Sequence, residues 1–169
     1  LVLLDKDAAA LQRQFGGVAG AVLVGADLLD KAQTAARVGE ALAQAGRIHA
    51  LCHVAGGFRM GEAVHETSGA TWDFMLGLNA GSFLNVAAAV VPHLVAQGGG
   101  KVVAVGAAAA LKGGAQMGAY SASKSALIRL TESMSAELRD QNVNVNCVLP
   151  SIIDTPDNRA AMPDADVSR

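Results

Sequence analysis

Short apolar runs alternate along the chain with longer segments in which apolar residues recur every three or four positions. The runs at 1–4, 21–24, 48–54, 101–105 and 143–149 are typical of buried parallel strands. Between them, the spacing predicts a helix capped by Asp7 and ended by Gly16, another from Asp30 to a Gly46 cap, and two longer ones at 71–96 and 117–140. A bend is expected in the 71–96 helix near Gly81 or Pro92.

This alternation of strand and helix predicts the α/β class. Right-handed crossovers then place helices on both faces of a doubly wound parallel sheet, as a three-layer α/β/α sandwich. No repeat or linker interrupts the pattern, so residues 1–169 are expected to form one domain.

Composition narrows the classes of function. The chain is 51% apolar and 17% charged, so it can bury a core, and its net charge of −2 with no basic stripe argues against nucleic acid as a partner. No apolar stretch of the length of a membrane span is free of charged or turn residues, and no signal peptide is visible, which predicts a cytoplasmic protein. Cys52 and Cys147 lie in apolar runs and are expected to be buried free thiols.

The most informative short motif is Tyr120-Ser-Ala-Ser-Lys124. Residues four apart share a helix face, so the phenol and the ammonium are expected to lie side by side. A nearby cation favours the phenolate and should lower the tyrosine pKa, which makes proton exchange with a substrate practical. An ordinary helix surface can carry the same spacing, but Tyr120 opens a helix that follows a parallel strand.

Residues 119–127 (Ala-Tyr-Ser-Ala-Ser-Lys-Ser-Ala-Leu) and 143–150 (Val-Asn-Val-Asn-Cys-Val-Leu-Pro) resemble the catalytic helix and following strand of short-chain dehydrogenases/reductases. The resemblance implies a Rossmann-like, NAD(P)-dependent oxidoreductase that passes hydride between nicotinamide and a small carbonyl or quinonoid substrate. It implies that Tyr120 is the general acid-base and that Lys124 lowers its pKa and holds the nicotinamide ribose. Asn79 matches an asparagine that holds a relay water, or it is simply a polar residue that bends its helix.

The same resemblance suggests where the adenosine half of the cofactor would bind. Asp5 ends the first strand, where an acid bonds the ribose 2′-hydroxyl and repels a 2′-phosphate, so NAD is preferred to NADP. Lys6 beside it weakens that inference, and a helix-capping or solvated acid is the alternative. Asp27 matches an aspartate beside the adenine ring, although a simple turn acid fits nearly as well.

Three further segments are assigned to the nicotinamide half by resemblance. Ala55 and Gly56 would let backbone approach the cofactor. Ile153 (backbone) and Thr155 (hydroxyl) would bind the carboxamide, although Ser151 replaces the usual glycine before them. His53 stands where the family has asparagine, and because the four histidines show no ligand spacing, it is expected to be a satisfied structural histidine with no metal site.

The residue at the catalytic serine position, thirteen before the tyrosine, is Ala107. Residues 52–58, 105–111 and 154–166 resemble dihydropteridine reductases, which share this loss and reduce a quinonoid dihydropterin with NADH. A conjugated ring needs a serine donor less than an isolated ketone does. The alternatives are a non-catalytic cofactor-binding relative and an inactive fragment.

The chain starts directly on a strand, without the glycine-rich turn that cradles a pyrophosphate, and stops before the family's last strand. We therefore expect it to be truncated at both ends and to lack the first and last strands. The missing first strand would leave a gap at the sheet centre, either closed by direct pairing or left open. The resemblance also implies a homodimer or homotetramer through the two long helices.

Overall fold

The computed structural model describes residues 1–161, in which strands and helices alternate as the hydrophobic pattern predicts. The strands are β1 (Val2–Asp5), β2 (Val22–Gly25), β3 (Ala50–His53), β4 (Gly100–Val105) and β5 (Val143–Val148). The helices are α1 (Ala8–Phe15), α2 (Lys31–Ala45), α3 (Gly69–Leu76), α4 (Ser82–Ala96), α5 (Gly118–Glu137) and α6 (Pro156–Ala161). Asp7 and Asp30 cap α1 and α2 through their carboxylates, and Gly46 follows α2 with φ at +70°.

The strands form two parallel sheets. β1 pairs with β2, and β3, β4 and β5 form a second sheet in that order. Within the described part of the chain no ladder joins β1 to β3, so direct pairing does not close the predicted gap. Cys52 of β3 is exposed although its apolar surroundings predict burial, because it lies on the same face of the strand as exposed Ala50, opposite buried His53. Both cysteines are free, as predicted, and Cys147 is half-buried.

The core lies between α4, α5 and the three-stranded sheet. Phe83 and Leu94 of α4 and Leu127 of α5 are fully buried against Val102 of β4. Their spacing on each helix places one apolar stripe against the sheet. The stretch Gly69–Ala96 is long and apolar enough to cross a membrane by length and composition alone. Its α4 part supplies core residues, which accounts for its apolar character.

The predicted bend in the long helix is a π-helical turn at Gly77–Gly81, which separates α3 from α4. The backbone N–H of Ser82 donates to the carbonyl of Gly77, five residues earlier. Pro92, the other predicted position for a bend, lies inside α4. A π-helical turn contains one residue more than an α-helical turn, and this rotates the residues before it relative to those after it. Such turns occur frequently at functional sites.

Candidate active site

Tyr120 and Lys124 lie one turn apart near the start of α5, and both reach the carboxyl ends of the parallel strands. The ammonium of Lys124 is buried and donates to the carbonyl of Val105, the last residue of β4, at 2.9 Å. The ring of Tyr120 packs edge-to-face on Phe58, in the loop after β3, with centroids 4.8 Å apart. Ligands bind at this edge in open α/β sheets. The fold therefore brings both residues to the edge where a cofactor would be expected.

The acid-base state of the pair differs from the sequence-based expectation. Burial raises the pKa of Tyr120, and no lowering by Lys124 is seen. Burial lowers the pKa of Lys124, with a smaller opposing effect from Cys147. Loss of water around the phenol disfavours the phenolate, and this effect dominates. The predicted pKa depression of Tyr120 is therefore not present in this conformation.

Asn79 is fully buried and connects the loop after β3 to α5. Its Oδ1 accepts from the N–H of Gly57 at 2.9 Å, and its Nδ2 donates to the carbonyl of Gly57 at 3.1 Å and to Ser123 Oγ at 2.9 Å. Ser123 Oγ in turn donates to the carbonyl of Tyr120 at 2.7 Å. Sequence reasoning missed Ser123 and Gly57 as site residues. The one available signal was that they are the chain neighbours of Lys124 and Gly56.

Gly56 is closely surrounded by the same groups. A Cβ at this position would lie 2.9 Å from Asn79 Oδ1 and 2.9 Å from Lys124 Nζ. Neither atom moves freely, since Asn79 makes the bonds described above and Lys124 is bonded to Val105. The absence of a side chain therefore lets Asn79 and Lys124 pack against the backbone of Gly56, which is itself exposed, whereas neighbouring Ala55 is half-buried.

Gly56→Ala is therefore expected to cost about 1–3 kcal/mol of stability, because overpacking has effects of this size. Thermal unfolding measures the loss. Gly39→Ala, with open space where its Cβ would stand, is the control and should not lower the stability. Equal thermal stability of both variants would contradict the crowding described here.

His53 ends β3 and is buried beside α4. Its Nε2 lies 3.1 Å from Ser82 Oγ, and its ring packs edge-to-face on Phe83 at 5.4 Å. Burial, and to a lesser degree the charge of Lys124, lowers the pKa of His53 to about 4, so the ring is neutral near pH 7. The histidine is thus satisfied by a hydroxyl, as the sequence analysis expects. Residues 1–161 contain no cluster of three metal-ligating side chains.

Ala107 lies two residues after the end of β4 and is buried, and the N–H of Ala108 donates to the carbonyl of Pro150. A methyl group therefore stands at the family's serine position. Two hydroxyls of α5 are committed elsewhere, since Ser123 donates to the Tyr120 carbonyl and Ser125 to the Ala110 carbonyl.

Asp5 and Asp27 lie next to each other at the carboxyl ends of β1 and β2. The N–H of Ala26 donates to the carbonyl of Asp5, and Asn85 of α4 donates to the carbonyl of Leu28. One oxygen of each carboxylate is used locally, by the N–H of Asp7 for Asp5 and of Leu29 for Asp27. The second oxygen of each carboxylate takes no part in these local hydrogen bonds. Both acids thus help to shape turns and retain acceptor capacity.

The Ile153 and Thr155 segment leads into α6. The Ile153 carbonyl accepts from Asn158 Nδ2 at 2.9 Å, and Thr155 Oγ accepts from the Asn158 N–H at 3.1 Å. The Thr155 hydroxyl keeps its own hydrogen for donation. Residues 162–166 of the dihydropteridine-reductase-like stretch lie outside the described residues.

A cavity of about 450 Å³ opens at the start of α5. Its lining includes Arg59 and Met60 from the loop after β3 but does not include Tyr120, Lys124 or Asn79. The Arg59 guanidinium stacks on Phe74, 3.8 Å from the ring centroid. The other lining residues are Phe58, Glu62, Thr67, Thr71, Gln116, Gly118 and Ala119. A space of this volume suits a small organic molecule.

These residues fit a nicotinamide dinucleotide. Gly56 is exposed and carries no side chain that would keep a ligand from its backbone, and the Lys124 ammonium lies beside it. Asp5 and Asp27 offer carboxylate oxygens at the ends of the neighbouring sheet's strands.

Two solved structures of similar proteins share the fold. A gluconate 5-dehydrogenase from Burkholderia cenocepacia, in complex with NADP and tartrate, is 27% identical with a TM-score of 0.88, covering 99% of this chain and 67% of that one. An NAD⁺-bound xylitol dehydrogenase is 26% identical with a TM-score of 0.86, covering 91% of this chain and 61% of the other. The nicotinamide cofactor is thus common to these neighbours, and its phosphorylation state differs.

Sequence comparison gives the same family. The chain is 32% identical over 145 residues to 2-dehydro-3-deoxy-D-gluconate 5-dehydrogenase from Dickeya dadantii, covering 85% of this chain but only 57% of that enzyme. The profile described as short chain dehydrogenase matches residues 2–166. The chain therefore belongs to the short-chain dehydrogenase family, whose members are NAD(P)-dependent oxidoreductases.

Proposed function

We propose that the whole protein is an NADH-dependent reductase of a small carbonyl or quinonoid substrate. The observation that carries this proposal is the convergence of Tyr120, Lys124 and Asn79 on the carboxyl ends of β3 and β4, near the cavity of about 450 Å³ at the start of α5. This is the arrangement that proton transfer beside a bound nicotinamide requires, with an acid-base group, a cation and a polar support within one corner.

When bound, the dinucleotide would supply a hydride to the electron-poor atom of the substrate, either a carbonyl carbon or a ring atom of a quinonoid. Tyr120 would donate its hydroxyl proton to the substrate oxygen or nitrogen, so the substrate gains two electrons and two protons in total, one proton carried by the hydride and one from the phenol. Lys124 would hold the ribose and stabilise the resulting phenolate, and Asn79 would support the route by which Tyr120 recovers a proton. Ile153 and Thr155 would orient the carboxamide from the other side.

Ala107 makes a conjugated, quinonoid substrate the preferred choice. A carbonyl reductase normally gives the developing oxyanion two donors, and removing one such donor costs about 10²–10³-fold in rate. A conjugated ring spreads the charge and depends less on the second donor. The test is NADH oxidation by the whole protein with quinonoid dihydropterin and with a ketone panel. Turnover of the pterin above all ketones supports this choice, and turnover of ketones alone removes it.

Asp5 favours NADH over NADPH. Its charge would repel a 2′-phosphate, and its second carboxylate oxygen would accept a hydrogen bond from the 2′-hydroxyl of the adenosine ribose. We expect Asp5→Ser to reduce the preference for NADH, measured as the dissociation constant of NADPH divided by that of NADH, by about 10-fold or more, equivalent to about 1.4 kcal/mol. Titration of both cofactors by calorimetry measures the ratio, with Asp7→Ser as the control, because that acid caps α1. Tighter binding of NADPH than NADH by the unmutated protein would contradict the choice of cofactor.

A second copy of the chain is the proposed partner, in the cytoplasm, through the two long helices. An open, mostly apolar groove of about 610 Å³ runs between the π-helical turn and α5, lined by Leu76, Ala80, Leu84, Ala126 and Leu130 among others. Leu84 is 47% exposed at its rim. We expect Leu84→Glu to shift the whole protein from dimer or tetramer toward monomer in analytical ultracentrifugation. A monomeric unmutated protein would contradict this.

A second candidate function is that of a cofactor-binding relative without turnover. The methyl group of Ala107 in place of a hydroxyl is the observation that favours it. Such a protein would bind NADH and would leave every ketone and quinonoid substrate unreduced.

A further inference from the structure

The π-helical turn Gly77–Gly81 is held by polar groups that begin at the end of β3. His53 Nε2 lies 3.1 Å from Ser82 Oγ, and Ser82 Oγ lies 2.6 Å from the carbonyl oxygen of Leu78. His53 is 3% exposed and Ser82 is fully buried. These two hydrogen bonds therefore link β3 to α4 in a buried region, where water cannot offer alternative partners.

The direction of these bonds follows from their chemistry. A carbonyl oxygen only accepts, so the single hydrogen of the Ser82 hydroxyl is donated to Leu78. Ser82 Oγ must then accept from the imidazole, which requires the hydrogen of neutral His53 to be on Nε2. The hydroxyl is thereby fixed in one orientation rather than free to rotate.

The bond to Leu78 replaces one that the π-helical turn removes. In an α-helix the N–H of Ser82 would donate to Leu78, four residues earlier. Here that N–H donates to Gly77, five residues earlier. The Ser82 hydroxyl occupies the position of the displaced N–H on the Leu78 carbonyl, so the turn keeps an acceptor satisfied that it would otherwise leave open.

Asn79 is the next residue after Leu78, and its side chain is also fully buried. The orientation of its amide toward Gly57 and Ser123 depends on the path of the backbone through this turn. We propose that His53 and Ser82 are positioning residues that hold the π-helical turn so that Asn79 stays bonded beside Lys124 and Tyr120. This role rests on the proposed reductase function, because its effect on rate is expressed through Tyr120 and Lys124.

His53→Leu and Ser82→Ala in the whole protein are expected to lower kcat for NADH-dependent turnover by about 10- to 100-fold. The KM for NADH should change little, because neither side chain is assigned to the cofactor. Hydrogen exchange of the amides at 78–83 should accelerate in both variants, which is a readout independent of activity. His53→Gln keeps an N–H donor near the Nε2 position and should restore both kcat and slow exchange.

Thr131→Val is the matched control, since Thr131 Oγ1 is also buried and donates to a carbonyl four residues earlier, on Leu127 at 2.7 Å. It removes a comparable bond outside the turn and should leave kcat unchanged. The inference is overturned when His53→Leu and Ser82→Ala behave like Thr131→Val while Tyr120→Phe is inactive. Full activity of Tyr120→Phe would instead overturn the proposed function. Should His53→Leu fail to fold, Ser82→Ala alone decides.

Discussion

Tyr120→Phe is expected to lower kcat of the whole protein by about 10²–10⁴-fold, the usual contribution of a positioned general acid-base. Phenylalanine keeps the ring that packs on Phe58 and removes only the hydroxyl. Because the Tyr120 ring is half-buried and its hydroxyl makes none of the network's bonds, stability should be almost unchanged. Stopped-flow or steady-state oxidation of NADH, followed at saturating substrate, measures the loss.

Turnover by the unmutated protein separates the two candidate functions, because both of them predict that Tyr120→Phe still binds NADH. A reductase should keep most of its NADH binding in Tyr120→Phe, since Lys124, Gly56 and Asp5 are intact. Ser125→Ala is the control, because it also removes a hydroxyl from α5, one bonded to Ala110. An unchanged kcat in Tyr120→Phe would exclude Tyr120 as the proton donor. Absence of turnover in the unmutated protein, with NADH bound, would favour the non-catalytic candidate.

Ala107→Ser is expected to raise ketone reduction by up to about 10²–10³-fold while leaving quinonoid reduction within a few-fold. The serine would restore the second donor to a developing oxyanion, which is worth this much where measured. Its Cβ would stand where the Ala107 methyl now lies, at the end of β4. The ratio of kcat/KM for a ketone to that for quinonoid dihydropterin is the quantity to compare.

Ala109→Ser provides the matched control, because it adds the same hydroxyl two residues farther on, in the 3₁₀ turn at Ala108–Ala110. It should leave the substrate ratio unchanged. A gain by Ala107→Ser for both substrate classes would show that the missing donor limits every reaction. That result would remove the argument for a conjugated substrate.

The order of strands and helices could be predicted from the hydrophobic pattern, because each buried strand and each amphipathic stripe leaves a local signature. Helix starts at Asp7 and Asp30 follow from the same local rules. The juxtaposition of Tyr120 and Lys124 on one helix face also follows from their spacing. These features depend on neighbours within about one helical turn.

What could not be predicted depends on residues distant in sequence. His53 and Ser82 are 29 positions apart, and nothing local marks them as partners. Cys52 is exposed on the face of β3 that it shares with Ala50, and an apolar run alone cannot reveal which faces of a strand are covered. The bond from Lys124 to Val105 is likewise a contact between α5 and β4, which are 19 positions apart at these residues.

A crystal structure of the whole protein with NADH tests the central claim most directly. The account predicts that the nicotinamide ring lies in contact with Tyr120, with the Lys124 ammonium within hydrogen-bonding distance of the adjoining ribose and the backbone of Gly56 against the cofactor. A dinucleotide bound elsewhere, or with its nicotinamide end away from the carboxyl ends of β3 and β4, would contradict it.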